Sequence, residues 1–464
     1  MTAPGLRPAW PGLAVVGLGA SIVPLDFAVN LAFPAITAAF ELPTDAIRWV
    51  AVCYVLVYGS LMLGFGALGD RIGYLRVFRA GLALGALAFA ACALAPSFAW
   101  LLAARVLQGV SVALTVACAP AIATLLVDEA RRTRALSAYG SLQAAAGVVA
   151  PVIGGAAVAW LGWPGVFSFR VPVVLLALAG TSWLAGAAGR QSRRSDRAFD
   201  AGGSAMLAAA VALLLLAPAL LGGGGSPEAA VAAAVAGAAT MAGFVRRESR
   251  SPAPFLPPEV ARDGDFLMLN AAACAVQCAS FAAPLTVPYF LLGAAGWTPQ
   301  ASGALLSTWA MGMLAGSWAA APSVTALGAR RAAIAGTVVA AAGLAGLAAW
   351  TAAPPAPWMV ATLALQGAGL GLFQVAHADG VVAALPPTSR GVAGSLTMVA
   401  RTVGVVVGAT AWLGLMRRHE APGLDAAAAA AATAEGFGTV AQAAAALLAA
   451  TLAAWGLQAL ARRR

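Results

Sequence analysis

Apolar residues run through this chain in long unbroken blocks, without the three-to-four spacing of a helix that shows one face to water. The blocks fall at about 13–38, 47–69, 77–95, 98–125, 136–160, 165–187, 201–223, 229–245, 266–292, 301–321, 332–352, 357–381, 392–415 and 438–460, with short polar or Arg-bearing breaks between them. A helix of about 20 apolar residues crosses the hydrocarbon core of a bilayer. The pattern therefore predicts fourteen transmembrane helices. The eighth segment, Ala- and Gly-rich, barely reaches the required length. The first follows a weakly charged tail (Arg7) with no small-residue cleavage site, so it is expected to stay in place and not to be removed as a signal peptide.

Composition agrees with that pattern. Of 464 residues, 61% are hydrophobic and 9% charged, which is the profile of a polytopic membrane protein. All 27 basic residues are Arg, and there is no Lys. A phosphate-cradling loop of the G-x-x-x-x-G-K-S/T type and a pyridoxal Schiff base both need that amine, so neither is available. The net charge of +10 points to nucleic acid in a soluble protein, but here it is explained by where the Arg residues sit. Arg7, Arg71, Arg76, Arg79, Arg131, Arg132, Arg134, the clusters at 190–197 and 246–262, Arg330, Arg331, Arg390 and Arg462 to Arg464 fall on one side of the fourteen-helix map; Arg48, Arg417 and Arg418 fall on the other. The positive-inside rule then places both termini in the cytoplasm of a cell inner (plasma) membrane. The longest external loop on this map is 416–437, which contains the low-complexity Ala426–Ala432 run, helical or disordered.

Five Cys lie in apolar runs, and Cys274 and Cys278 have no His, Asp or Glu on their helix with which to hold a metal. With two His (His377, His419) and no acid–base cluster, no catalytic constellation is present, so no enzyme activity, cofactor or metal is expected.

An internal repeat organises the chain. A shift of 258 residues places Trp100 on Trp358, Gln108-Gly109 on Gln366-Gly367, Arg132 on Arg390 and Ser137 on Ser395; one residue further along, Leu68 to Arg71 match Leu327 to Arg330. The fourth segment thus maps on the twelfth. The expected domains are an N-terminal six-helix bundle (1–190), an inserted helix pair with its linkers (191–262) and a C-terminal six-helix bundle (263–464). Parallel repeats of this kind occur in transporters that hold substrate at the repeat interface.

The candidate chemistry lies inside the apolar blocks. In Leu25-Asp26-Phe27-Ala28-Val29-Asn30-Leu31-Ala32-Phe33-Pro34 a carboxylate and an amide sit within the first span. A charge at that depth costs about 2.5–3.5 kcal/mol, so it has to face protein or water and find a partner. The alternative is that Asp26 belongs to a purely structural ion pair. At 1.5 Å per residue Asp26 and Arg105 lie roughly 18 and 10 Å from the outer ends of their helices, near enough for Arg105 to hold the carboxylate across one cavity. Arg401, midway along segment thirteen, faces that cavity or caps helix-end carbonyls. Arg170 snorkels to the interface in a structural role. Asn30, Gln108, Gln143, Gln277 and Gln374 line a pathway or bond across helices. Trp309, Met311 and Met313 line an apolar pocket or simply pack, and His377 and Asp379 read as solvated gate residues.

Four motifs carry a family resemblance. Gly66-Ala67-Leu68-Gly69-Asp70-Arg71-Ile72-Gly73-Tyr74-Leu75-Arg76 resembles the G-x-L-A-D-R-x-G-R-K/R loop of the major facilitator superfamily, with Tyr74 and Leu75 in place of its basic pair. Leu25 to Pro34 resembles the first-helix motif of the fourteen-helix drug:proton antiporters of that superfamily, and Arg105 to Gly109 their R-x-x-Q-G. Pro151-Val152-Ile153-Gly154-Gly155 resembles the end of the antiporter motif, with Ala146 and Ala150 replacing its first two glycines. The resemblance implies a cytoplasmic gate at Gly66, Asp70, Arg71, Gly73 and Arg76, proton coupling through Asp26 and Arg105, and an antiporter motif at Pro151, Gly154 and Gly155.

The expected protein is a monomeric proton antiporter that exports a small amphipathic organic substrate. Asp26 against Arg105 and Arg401 leaves the cavity without a clear negative charge, so neutral, zwitterionic and anionic compounds stand beside lipophilic cations. A proton-coupled importer of the same fold and a non-transporting receptor are the alternatives.

Overall fold

The computed structural model describes residues 9–128, 131–188, 201–221, 226–248, 262–351, 354–384, 393–419 and 425–461. Arg7, Arg190, Arg193, Arg194, Arg197, Arg250, Arg390, Arg462 to Arg464 and the expected boundary at 190/191 lie outside the described residues, as does the side chain of Asp70.

In hydrocarbon each backbone N–H and C=O has to be satisfied within its own segment, and the apolar blocks accordingly fold as helices. The first block is interrupted. It forms α1 (Ala9–Ala20), a 3-10 turn (Pro24–Asp26) and α2 (Phe27–Ala39), where the hydrophobic pattern predicts one continuous helix. Pro24 cannot donate an amide to the preceding turn, and the chain re-forms its bonds from Leu25 N to Ser21 O (2.9 Å) and from Asp26 N to Val23 O (3.0 Å). Asp26 therefore sits at the break.

The chain continues through α3 (Arg48–Ile72), α4 (Tyr74–Ala93), α5 (Phe98–Leu125), α6 (Arg132–Leu161), a single turn α7 (Gly165–Ser168) and α8 (Arg170–Ala188). The pair α9 (Ala201–Leu221) and α10 (Pro227–Glu248) follows. Then come α11 (Gly264–Tyr289), which ends in a π turn, α12 (Pro299–Leu327), α13 (Ala329–Ala348), α14 (Ala356–Ala384), α15 (Ala393–Arg417) and α16 (Ala426–Ala461). Among the described residues, twelve helical stretches are long and apolar enough to cross a membrane. The protein is therefore an all-helical, multi-pass membrane protein. Two expected segments, α9 and α12, are helices of 21 and 29 residues but fall outside those twelve, while the eighth segment, α10, is within them.

Of the expected loop 416–437, residues 426–437 are helix, the first of the two readings of the Ala run, and they are continuous with the last span. Asp425 Oδ1 accepts from Ala428 N (2.7 Å), and the Ala run, the strongest helix former available, starts α16 there.

Small residues set how closely the helices approach, because packing drives association where lipid is as apolar as the side chains. α14 carries glycines on two faces. A Cβ at Gly367 or Gly371 would strike the carbonyl of Trp309 or Met313 on α12, and one at Gly369 would strike the backbone of Ala340 on α13. Gly109 stands in the corresponding place on α5, where a Cβ would come within 2.9 Å of Tyr54 O on α3. The helix-connecting glycine of the repeat is shifted from where the sequence match puts it. Gly73 (φ 101°) joins α3 to α4 and Gly328 (φ 80°) joins α12 to α13, whereas Gly69, the residue matched to Gly328 by sequence, lies inside α3. The turn needs a positive φ, which decides the pairing.

N-terminal and C-terminal helices meet where α6 packs on α12, α3 on α15 and α2 on α11. α9 and α10 pack on each other, and α9 also touches α3 and α15, so the pair lies against this seam. If backbone contact at α14 is what holds the fold, Gly369→Ala lowers stability by about 1–3 kcal/mol. Gly456→Ala, which faces open space, leaves stability unchanged or raises it by up to about 1 kcal/mol. Thermal unfolding of the two variants in detergent measures the difference in sign.

Candidate functional site

The break after α1 exposes the Leu25 carbonyl and turns Asp26 toward α5 and α8. Arg105 grips the carboxylate with both terminal nitrogens, Nη1 to Oδ1 at 2.8 Å and Nη2 to Oδ2 at 2.9 Å, while its Nε donates to Val50 O (2.7 Å). Gln108, one turn along α5, accepts from Arg105 Nη1 (2.7 Å) and donates to Asp26 Oδ1 (3.0 Å). Arg170 completes the set. Its Nη1 donates to Asp26 Oδ1 (2.7 Å) and its Nη2 to the Leu25 carbonyl (2.8 Å).

Arg170 thus departs from the sequence reading. It lies at the start of α8 but is fully buried, and it turns inward because a carboxylate and the Leu25 carbonyl are within reach, which is worth more than snorkelling to the interface. Aromatic rings complete the casing: the Arg105 guanidinium lies 4.4 Å from the Tyr54 ring centre, and that of Arg170 lies 5.4 Å from Phe89. Two guanidinium groups against one carboxylate leave the cluster with a net charge of +1. Four donor contacts converge on Asp26, three of them on Oδ1. Only a slice of the Asp26 side chain, 14%, remains accessible, and it opens on a cavity.

That cavity, between the N-terminal and C-terminal helices, comprises about 870 Å³ of atom-free space, part of it open to solvent. Asp26, Asn30, Arg105, Gln277, Gln374 and Arg401 are its polar lining, and Phe27, Phe33, Tyr54, Phe281 and Trp309 its aromatic walls. Phe27 and Trp309 meet edge to face across it at 5.2 Å. Gln277 accepts from Gln374 at 3.1 Å. Of the residues expected there, Gln108 stands behind Asp26 instead of lining the cavity, because its amide is used on the carboxylate. Gln143, on α6, is not part of the lining. Met313 lines the cavity, whereas Met311 is 57% exposed on the opposite side of α12. His377 is buried against Phe373 and Asn270 and is therefore not solvated, while Asp379 is exposed.

Above the cavity, toward the α2–α3 connection, two contacts join the N-terminal to the C-terminal helices. Thr37 and Tyr289 hydroxyls meet at 3.2 Å. Asp45, 2% exposed, takes Arg48 Nη1 on Oδ2 (3.0 Å) and Arg417 Nη1 of α15 on Oδ1 (2.7 Å). Sequence reading counted Arg48 and Arg417 as loop charges and passed over Asp45; the i, i+3 spacing of Asp45 and Arg48 at a helix start was the available signal.

The antiporter-motif residues serve close approach. A Cβ on Gly154 would come within 2.8 Å of Ala28 Cα on α2, one on Gly155 would strike Pro299 O of α12, and one on Gly303 would strike Pro151 O. In the loop motif, Gly66 has open space around it, Gly69 packs on Tyr74 and Cys118, and Gly73 makes the turn. Arg71 and Arg76 are exposed, and Arg76 Nη1 reaches Ile72 O at 3.4 Å. Among the described residues no group of three or more His, Cys, Asp or Glu side chains is placed to hold a metal.

Comparison with known proteins places this geometry. The chain is 31% identical over 423 residues to the tetracenomycin C resistance and export protein of Streptomyces glaucescens, covering 89% of this chain and 77% of that one. It is 28% identical over 411 residues to the puromycin resistance protein pur8 of Streptomyces alboniger, covering 86% and 80%. Its fold resembles that of the peptide transporter POT in complex with sulfate (TM-score 0.68, 17% identity, 95% of this chain and 94% of that one). It likewise resembles a bacterial homologue of the human lysosomal transporter Spinster in an inward-facing, unoccupied conformation (TM-score 0.64, 17% identity, 97% and 96%). The sequence model of the Major Facilitator Superfamily matches residues 10–409, nearly the whole chain, so this membrane protein, a transporter and not an enzyme, belongs to that superfamily.

Proposed function

We propose that the chain is a proton antiporter of the plasma membrane that exports an amphipathic organic compound by alternating access. Fourteen crossings make two six-helix bundles around the inserted pair α9/α10, both termini face the cytoplasm, and the working unit is a monomer. The observation that carries the reading is the Asp26 cluster. Oδ1 takes three donors and Oδ2 one, and two guanidinium groups compensate the carboxylate charge, so withdrawal of Arg105 or Arg170 leaves a negative charge that a proton takes up. A rocking motion that moves α5 or α8 relative to α2 does this, and it ties proton uptake and release to the state of the cavity.

The arrangement of contacts supports an inward-facing state. Both contacts named above close the Asp45 end, and α6 meets α12 through Gly155 and Gly303 near the same end. The charge distribution supports the orientation: Arg71, Arg76, Arg131 and Arg134 are exposed at the other end, while Arg48 and Arg417 are engaged with Asp45. The names of the resistance and export relatives support the outward direction of transport. Gly73 and the loop around Asp70 and Arg71 form the gate at the cytoplasmic end.

Purified protein in liposomes with an imposed pH gradient, offered a panel of antibiotics and dyes, tests the coupling. Asp26→Asn abolishes gradient-driven accumulation while substrate counterflow, which needs no net proton movement, persists. Retained gradient-driven accumulation in that variant refutes a proton role for Asp26. The gate at the Asp45 end is tested separately. A half-exposed ion pair is worth about 1 kcal/mol, so Arg417→Gln shifts the balance toward the open Asp45 end roughly fivefold. An impermeant thiol reagent added from that side then labels a cysteine at position 280, in a background lacking the five native cysteines, about five times faster.

A further inference from the structure

We propose that the cavity takes its cargo as an organic anion, an aromatic compound whose carboxylate or phenolate oxygen is received by Arg401. This rests on the transporter reading above and narrows its substrate class.

The charge count is the first ground. The cavity lining and the residue directly behind it hold Arg105, Arg170 and Arg401 against the single carboxylate of Asp26, a net charge of +2. Arg105 and Arg170 are committed to Asp26. Arg401, about a third of the way along α15 and half-buried, makes no hydrogen bond or ion pair among the described residues. A half-buried guanidinium that faces a cavity and has no partner among the described residues is a standing demand for an acceptor.

The second ground is independent of charge. Three hydroxyls in the lining are buried with no partner: Ser280 Oγ (0% exposed), Thr402 Oγ1 (1%) and the Tyr54 hydroxyl (4%). Ser280 is on α11 and Thr402 follows Arg401 on α15, so donors from two helices join the guanidinium. A carboxylate or phenolate satisfies the guanidinium and can take the hydroxyl donors beside it. A cation can be received by the hydroxyl oxygens but leaves the guanidinium unsatisfied and meets an uncompensated positive field. The walls set the rest of the ligand, since Phe27, Phe281 and Trp309 offer aromatic faces and edges on both sides of the cavity. An anion moving outward also gains from a membrane potential negative inside, so the same charge that the cavity recognises helps to drive export.

Two dyes of one ring system and opposite charge provide the test: fluorescein, an anionic xanthene carboxylate, and rhodamine 6G, a cationic xanthene ester. Binding is measured by fluorescence anisotropy to the full chain in phosphatidylcholine nanodiscs at pH 8. Fluorescein binds at least about tenfold more tightly than rhodamine 6G, and Arg401→Gln weakens fluorescein about tenfold or more, the loss expected for one charge-assisted contact. The same variant leaves rhodamine 6G unchanged or improves it. The double variant Ser280→Ala, Thr402→Val weakens fluorescein by a smaller factor. Arg401 has no partner to orphan, so the variant folds, and its thermal midpoint matches wild type.

Absence of saturable fluorescein binding, tighter binding of rhodamine 6G to wild type, or fluorescein affinity within threefold of wild type in Arg401→Gln each overturns the anion assignment. The outcome is separable from that of the transporter reading. Gradient-driven transport of another compound, lost on Asp26→Asn, leaves the antiporter intact when the dye result fails.

Discussion

A carboxylate held between two arginines in the middle of a membrane protein is the constraint on which the rest of this structure depends. Removing one member of such a set strands the others without compensation, at a cost of about 3–5 kcal/mol. The surrounding architecture therefore has to deliver Asp26, Arg105, Gln108 and Arg170 to one point from three separate helices. The interruption at Pro24 serves this directly: it sets the Leu25 carbonyl where Arg170 reaches it with the nitrogen not used on Asp26. Irregular backbone at membrane depth is tolerated where protein encloses it, and here protein does.

Helix packing is the second layer. Gly109 brings α5 against α3, Gly154 brings α6 against α2, and Gly155 with Gly303 brings α6 against α12. None of these glycines touches a charged group. Gly109 sits one turn from Arg105 on the same helix and so sets how closely that arginine's helix stands against α3, while the other three set the approach of α6 to its neighbours. The matching glycines of α14 close the C-terminal helices in the same manner, but the polar content differs. Where Gln108 serves a carboxylate, Gln366 accepts from the indole of Trp309. The repeat has kept its packing residue and changed the partner of the neighbouring amide, leaving the Asp26 ion pairs in the N-terminal helices and, among the described residues, an unengaged Arg401 in the C-terminal ones.

Charge is arranged differently along the membrane normal. At the Asp45 end a single buried carboxylate binds one arginine from its own side and one from α15, so a contact between N-terminal and C-terminal helices rests on an ion pair. In the middle, the ion pairs stay within the N-terminal helices. The first kind of contact has to break when the two sets of helices separate; the second is altered only when helices within one set shift.

The apolar blocks by themselves determined the membrane setting, the helical class and the positions of most helices, because segment length against bilayer thickness is a one-dimensional property. The loop, first-helix, R-x-x-Q-G and antiporter-motif residues determined the family for a similar reason, since local spacing is written along the chain. Asp26 and Arg105 stood out because charge is scarce in apolar runs. What the sequence could not decide depended on distance through space. Arg170 lies 144 residues from Asp26, and its depth near a helix end argued for the interface until the tertiary fold put a carboxylate beside it. Asp45 and Arg417, 372 residues apart, looked like ordinary loop charges. The interruption of the first helix, the start of α16 in the Ala run and the pairing of Gly73 with Gly328 were settled by backbone bonding and φ, which hydropathy does not encode. Which polar residues face the cavity was likewise settled by helix rotation: Gln277 and Arg401 line it, and Gln143 and Gln108 do not.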